Sequence, residues 1–203
     1  MRSFFNAENG LWQIFGFIGD VVVLSLLWTV CSAPVITAGA ATAALYDTVV
    51  ACFRRREQDY LRRFFRTLKR ELPGSLLPTV LWAALLALLY MGYRRIAAGL
   101  SGAGGVLLAS GMLFLLLIPL GISGWVFPML SRFTLDFRSL QINAVRIGLG
   151  YLPRTLLIAA LNAVSFWLTL RLQLLPFFFL PAIVALLDTF LMEPVFQKYE
   201  GQS

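Results

Sequence analysis

Residues 11–56 read LWQIFGFIGDVVVLSLLWTVCSAPVITAGAATAALYDTVVACFRRR. Two apolar stretches, 11–31 and 35–53, meet at an elbow marked by Pro34 and run into Arg54-Arg55-Arg56. Only Asp20 and Asp47 are charged before those arginines. In water this run would be a severe solubility liability. In a bilayer it makes two spans, since a hydrocarbon core of roughly 30 Å takes about 20 helical residues. The arginines that follow mark the cytoplasmic side.

The rest of the composition agrees. The chain has 203 residues, 59% of them hydrophobic and 13% charged, with mean hydropathy +0.80, outside the balance of a soluble domain. The net charge of +7 is expected of a membrane protein that retains Lys and Arg on one side, so no nucleic-acid partner is inferred. Histidine is absent, which removes the commonest general base and transition-metal ligand together. Cys31 and Cys52 both lie in apolar stretches, so no disulfide framework is indicated. The N-terminal apolar stretch is too long for a signal h-region, contains Asp20 and leads into more apolar sequence, which predicts a retained anchor.

Six candidate spans follow: 11–31, 35–53, 74–93, 104–130, 155–172 and 176–192. The second is rich in Ala, Gly and Thr, and a re-entrant or surface-lying helix is the alternative for it. Six spans put both termini on one side. Of the 17 basic residues, 14 then fall inside and only Arg94, Arg95 and Arg171 outside, which by the positive-inside rule places both termini in the cytoplasm. The expected fold class is all-α: a polytopic transmembrane helical bundle of six spans, five if the second is re-entrant. Residues 1–203 form a single domain.

Residues 59–72 do not read as a span. Tyr60, Leu61, Phe64, Phe65, Leu68 and Leu72 fall within about 140° of a helical wheel, with Arg62, Arg63, Arg66, Lys69 and Arg70 opposite. That pattern predicts a basic amphipathic helix lying among anionic headgroups on the cytoplasmic side. It serves either as an elbow orienting two spans or as a docking surface for a partner protein. An echo at an offset of 80 matches Phe53, Arg66, Leu72, Pro73, Leu76 and Leu77 to Phe133, Arg146, Leu152, Pro153, Leu156 and Leu157. In each copy a proline would restart a span at its first turn. The second elbow, 134–152, scatters its apolar residues around the wheel, which predicts deep burial. Span 104–130 carries Pro119, Gly121, Gly124 and Pro128, which predicts a kinked or broken helix.

A second echo aligns Ala44-Leu45-Tyr46-Asp47-Thr48 with Ala185-Leu186-Leu187-Asp188-Thr189, both near the inner end of an inbound span. Acidic groups inside a membrane are costly unless paired or hydrated, so they are expected to face the protein interior. Arg54 and Arg132 stand among the available partners. These carboxylates serve either as structural ion pairs or as contacts for an ion or solute. Asp20, and Glu193 before a helix-stopping Pro194, raise the same question. Asn162, Ser165, Thr169 and Gln173 form a polar stripe on span 155–172, read as interhelical hydrogen bonding or as a hydrated pathway. No phosphate-binding loop, catalytic triad or metal-ligand cluster is visible, so neither enzyme activity nor a cofactor is expected.

Leu27-Trp28, Pro34-Val35-Ile36-Thr37-Ala38-Gly39 and Thr42-Ala43-Ala44-Leu45-Tyr46, followed by an arginine cluster and Phe64-Phe65 before a basic helix, resemble the YesL family of bacterial integral membrane proteins. Length and span layout agree over nearly the whole chain. Members often have proline after the glycine corresponding to Gly39, where this chain has Ala40. The resemblance implies a bacterial inner-membrane protein of unassigned activity, often encoded beside carbohydrate-uptake and glycan-degradation genes, with no catalytic or binding residues to transfer. The expectation is a non-enzymatic accessory or regulatory partner of such a membrane system, a transporter subunit being the partner. The rival functions are an autonomous small-solute permease and a lipid-binding scaffold; a homo-oligomer is compatible with each.

Overall fold

The computed structural model describes residues 10–54, 59–99, 102–172 and 175–200. Arg2, Arg55, Arg56 and Gln173 lie outside the described residues. Seven α-helices account for nearly all of the described chain, and no strand occurs among the described residues. They are α1 (Gly10–Ser32), α2 (Ala38–Val49), α3 (Tyr60–Gly99), α4 (Ala103–Arg132), α5 (Phe137–Gly150), α6 (Leu152–Leu172) and α7 (Leu180–Glu200). A short 3-10 turn, Val35–Thr37, leads into α2, and a π-helical turn, Val50–Arg54, closes it. Five stretches are long and apolar enough to cross a membrane: Val35–Cys52, Tyr60–Gly99, Gly104–Arg132, Leu152–Leu172 and Leu180–Tyr199. Gly16–Ser32, within α1, is a shorter apolar stretch.

The helix least certain from sequence is the centre of the bundle. α2 packs against α1, α3, α4 and α7, and 61% of Val35–Cys52 is buried against 17–22% for the apolar windows of α3, α4 and α6. This explains its composition. Lipid tails are as apolar as leucine, so helices inside a bilayer associate through close packing rather than through exclusion from water. Small residues allow that approach, and Ala40, Ala41, Ala43 and Ala44 are fully buried. A Cβ on Gly39 would collide with the Thr79 hydroxyl and stand 2.5 Å from Cε1 of Phe127. The lipid-facing helices are leucine-rich instead, as Leu81, Leu88, Leu107 and Leu115 illustrate by their exposure.

Three expected breaks do not occur. Pro73 was expected to start a new span, but α3 runs unbroken through Pro73 and Pro78. Its 40 residues extend about 60 Å, against about 40–45 Å for a whole bilayer with headgroups. The reason lies in its buried face. Phe64, Thr67, Ser75, Pro78, Thr79 and Trp82 fall within about 120° at 100° per residue, so both halves of α3 offer one continuous stripe to α2. Packed transmembrane helices also tolerate proline because nearby hydroxyls and local adjustment re-satisfy the backbone. Residues 59–72 are therefore the first turns of a long helix, not a separate elbow.

Likewise α4 continues through Pro119 and Pro128. Gly121 serves contact rather than breakage: a Cβ there would stand 2.5 Å from the carbonyl oxygen of Thr155 on α6. Pro194 does not stop α7 either, which runs on to Glu200. The second elbow does form a separate helix, α5, ended at Tyr151 before α6 begins. It buries one face only, Leu140, Ala144, Ile147 and Gly148, while Phe137, Ile142, Val145 and Leu149 are exposed. The scatter seen in sequence reflects two apolar surroundings, protein on one side and lipid on the other, rather than burial all round.

The interior is dense. Trp125, Tyr46, Phe64 and Phe196 are each no more than 2% exposed. Phe196 meets Tyr46, Trp125 and Phe133 edge-on, with ring centroids 6.2, 5.8 and 5.9 Å away, an arrangement favoured by the ring quadrupole. Three indole N–H groups reach acceptors on other helices: Trp28 to Thr42 at 3.1 Å, Trp82 to Gln141 at 2.9 Å and Trp125 to Thr155 at 3.0 Å.

Candidate functional site

The acidic residues singled out in the sequence fall into distinct settings. Asp47, near the end of α2, is gripped side-on by Arg63 of α3. Nε donates to Oδ2 at 2.9 Å and Nη2 to Oδ1 at 2.8 Å. Thr67 Oγ1 adds a third hydrogen bond to Oδ2 at 2.8 Å. Arg63 and Thr67 are one helical turn apart and so share a face. Arg63, placed with the solvated cations in the wheel reading, thus turns inward. The Asp47 and Arg63 side chains are only 13% and 28% exposed, so the pair is shielded and geometrically favourable.

Glu193 of α7 forms the second ion pair, with Arg132 at the end of α4. The Tyr46 hydroxyl donates to Glu193 Oε2 at 3.3 Å. Tyr46 and Asp47 are consecutive, so α2 ties α7 and α3 together through neighbouring residues. Asp20 on α1 accepts a weak hydrogen bond from Cys52 Sγ at 3.8 Å and lies within reach of the Tyr60 hydroxyl.

Asp188 differs. Because α7 extends to Glu200, Asp188 sits near the middle of its helix rather than near the inner end. It is 8% exposed. Asn162 Nδ2 of α6 approaches Oδ2 at 3.5 Å while donating to the Ile158 carbonyl at 2.8 Å. Oδ1 is buried with no hydrogen-bond partner among the described residues. Farther along the polar stripe, Thr169 Oγ1 donates within α6 to the Ser165 carbonyl at 2.8 Å. Among the described residues no cluster of three metal-ligating side chains occurs.

A concavity of about 290 Å³ opens beside the first ion pair. Arg63, Arg66 and Arg70 line it from α3 and Arg132 from α4, with Asp47, Thr67 and Ser131 between them. Arg66 and Arg70 are exposed, as are Arg62 and Lys69 nearby. Arg70 pairs with Glu71 at 2.5 Å and its Nη2 reaches the Ser131 carbonyl at 3.4 Å. Phe64 is fully buried in a cluster with Leu24, Leu45 and Val49, whereas Phe65 is 44% exposed. The two phenylalanines therefore do different jobs: Phe64 anchors α3 to the bundle, and Phe65 faces outward. Sequence reasoning did not pick out Thr67 and Ser131; the spacing of Thr67 from Arg63 was the available signal for the first.

Stacked apolar helices, buried intramembrane carboxylates and a terminal belt of arginines define the class, an all-helical multi-pass membrane protein. Within it, residues 5–93 match the model of a family described as "Protein of unknown function, DUF624". The match takes in α1, α2 and most of α3, including the Asp47–Arg63 pair. No curated protein and no solved structure matches the chain.

Proposed function

We propose that the chain is a non-enzymatic accessory or regulatory partner of a membrane system, carbohydrate uptake being the class that its resemblance to the YesL family favours. In this reading it sits in a bacterial inner membrane with both termini in the cytoplasm, an orientation supported by the 14 basic residues on that side. The observation that carries the proposal is a contrast within the bundle. Its interior is filled by aromatic and small side chains, while most of its cations and a polar, arginine-lined concavity are gathered at one end; the concavity at the other end, between α3 and α4, is largely apolar. A protein built this way offers a surface rather than a conduit. Arg62, Arg66 and Lys69 with Phe65 supply a basic and aromatic face that suits a partner's acidic inner loop.

The test is crosslinking in native membranes followed by purification of the full chain. A transport subunit identified among the crosslinked products is the expected result; recovery of the chain alone would refute the proposal.

One observation favours a second reading, that of an autonomous small-solute permease. Asp188 lies mid-helix with an amide neighbour and a bare carboxyl oxygen, and intramembrane acids commonly mark transport pathways. Solute flux through liposomes containing only this chain, abolished by Asp188→Asn, would establish that reading instead.

A further inference from the structure

We propose that the concavity between α3 and α4 is a binding site for a phosphate group, with Arg66 and Arg70 as its principal ligands. Cytoplasmic arginines of a membrane protein ordinarily need only face outward to the headgroups. Here Arg63, Arg66 and Arg70 follow a spacing of three and four along α3, which stacks them on one face. Arg132 arrives from a helix more than sixty residues away in sequence to close the same space.

The carboxylates around the site are already committed. Asp47 holds Arg63 and Glu193 holds Arg132, so these two pairs brace the walls. Glu71 engages Arg70 through Nε. Arg66 has no carboxylate partner among the described residues, which leaves a cation facing the cavity without a balancing charge. The hydroxyls at hand, Thr67 and Ser131, donate elsewhere, to Asp47 and to the Pro128 carbonyl. The donors offered to a ligand are therefore guanidinium N–H groups. Their planar fork matches the oxygens of a phosphate in a way that an ammonium does not. The volume of about 290 Å³ is near the lower end of ligand pockets, roughly 300–1,000 Å³, and suits a phosphate with a short substituent.

α3 is longer than the bilayer is thick, and this end of it carries five of its seven cations, so the site opens at the headgroup layer. Two sources of phosphate meet there: the headgroup of an anionic lipid and a soluble phosphate compound. Neither requires a partner protein, so the inference stands or falls separately from the accessory reading; because Arg66 also belongs to the face offered to a partner, Arg70→Gln is the variant that should weaken phosphate binding while leaving crosslinking to a transport subunit unaffected.

The full chain, reconstituted in phosphatidylcholine nanodiscs, is titrated with inorganic phosphate against chloride at matched ionic strength. A second set of discs contains phosphatidylglycerol. A rise in melting temperature with phosphate assigns a soluble ligand; a rise only with phosphatidylglycerol assigns a lipid headgroup. In either case Arg66→Gln should weaken the effect about tenfold, as expected for the loss of a charge-assisted contact. Arg70→Gln should also weaken it, providing an independent variant if the first folds poorly. The double variant Arg94→Gln, Arg95→Gln, at the far end of α3, should leave it intact. No rise in either set, or equal losses in the near and far variants, would overturn the proposal.

Discussion

Asp47 and Asp188 stand in the same local sequence, Ala-Leu-X-Asp-Thr, yet the fold treats them in opposite ways. Asp47 receives three hydrogen bonds, two of them from a guanidinium. Among the described residues Asp188 receives one long amide contact and keeps a buried oxygen without a partner. The helix that follows makes the difference. After Asp47 the chain turns back, and α3 brings Arg63 and Thr67 alongside. After Asp188, α7 simply continues and the neighbour is α6, whose residue at that level is Asn162. A local motif thus fixes the placing of a carboxylate on a helix; the next helix fixes its chemistry.

The contrast can be broken by substitution. Arg63→Ala should have the largest effect, since it strands the Asp47 carboxylate in a shielded setting. A loss of roughly 3 kcal/mol is expected, read as a fall in melting temperature in detergent or nanodiscs. If Arg63→Ala melts like the parent chain, the ion pair is not a stabilising clamp. Asp47→Asn should cost less, about 1–2 kcal/mol, because the amide oxygen can still accept from Thr67 or Arg63. Asp188→Asn should be the mildest, within about 0.5 kcal/mol of the parent, since no cation is lost and Asn162 keeps an acceptor. A melting temperature falling more for Asp188→Asn than for Asp47→Asn would reverse the comparison and place the important charge at mid-helix.

Much of this architecture was legible in the sequence because the bilayer imposes length and polarity together. The apolar runs could be located, and Asp47 lies near the end of its helix as read, but helix ends moved by up to fourteen residues, as at α3, which starts at Tyr60 where a span was expected from 74. Proline was the main source of error. Pro73 and Pro194 read as boundaries under rules suited to helices in water, and both lie inside helices here. The continuous buried stripe from Phe64 to Trp82 outweighed Pro73, and no local reading of residues 59–72 could see it, because half of it lies beyond the proline. Extending α7 past Pro194 then moved Asp188 to mid-helix. The Ala-, Gly- and Thr-rich composition of α2 was also informative: Ala40, Ala41, Ala43 and Ala44 look indifferent as a span and are what a central helix requires.

The site was less legible than the fold. Arg63 was grouped with Arg62 and Arg66 by charge, and only the packing of α3 on α2 separates the inward arginine from the outward ones. Arg132 was recognised as a candidate partner, but its pairing with Glu193 depends on where the ends of α4 and α7 meet. Such meetings are set by helix crossing, which a single sequence does not encode locally.

The central claim is that this protein works through its arginine-lined end and not through a conduit across the bundle. It is tested most directly by thiol accessibility in sealed membranes, with Cys31 and Cys52 replaced by alanine. A single cysteine is then placed either at Arg66, in the cleft, or at Asn162, beside Asp188. With a small water-soluble thiol reagent applied to each face in turn, Arg66→Cys should react from the cytoplasmic face and Asn162→Cys from neither. Labelling of Asn162→Cys at a rate comparable to that of Arg66→Cys would reveal water at mid-membrane and contradict the account.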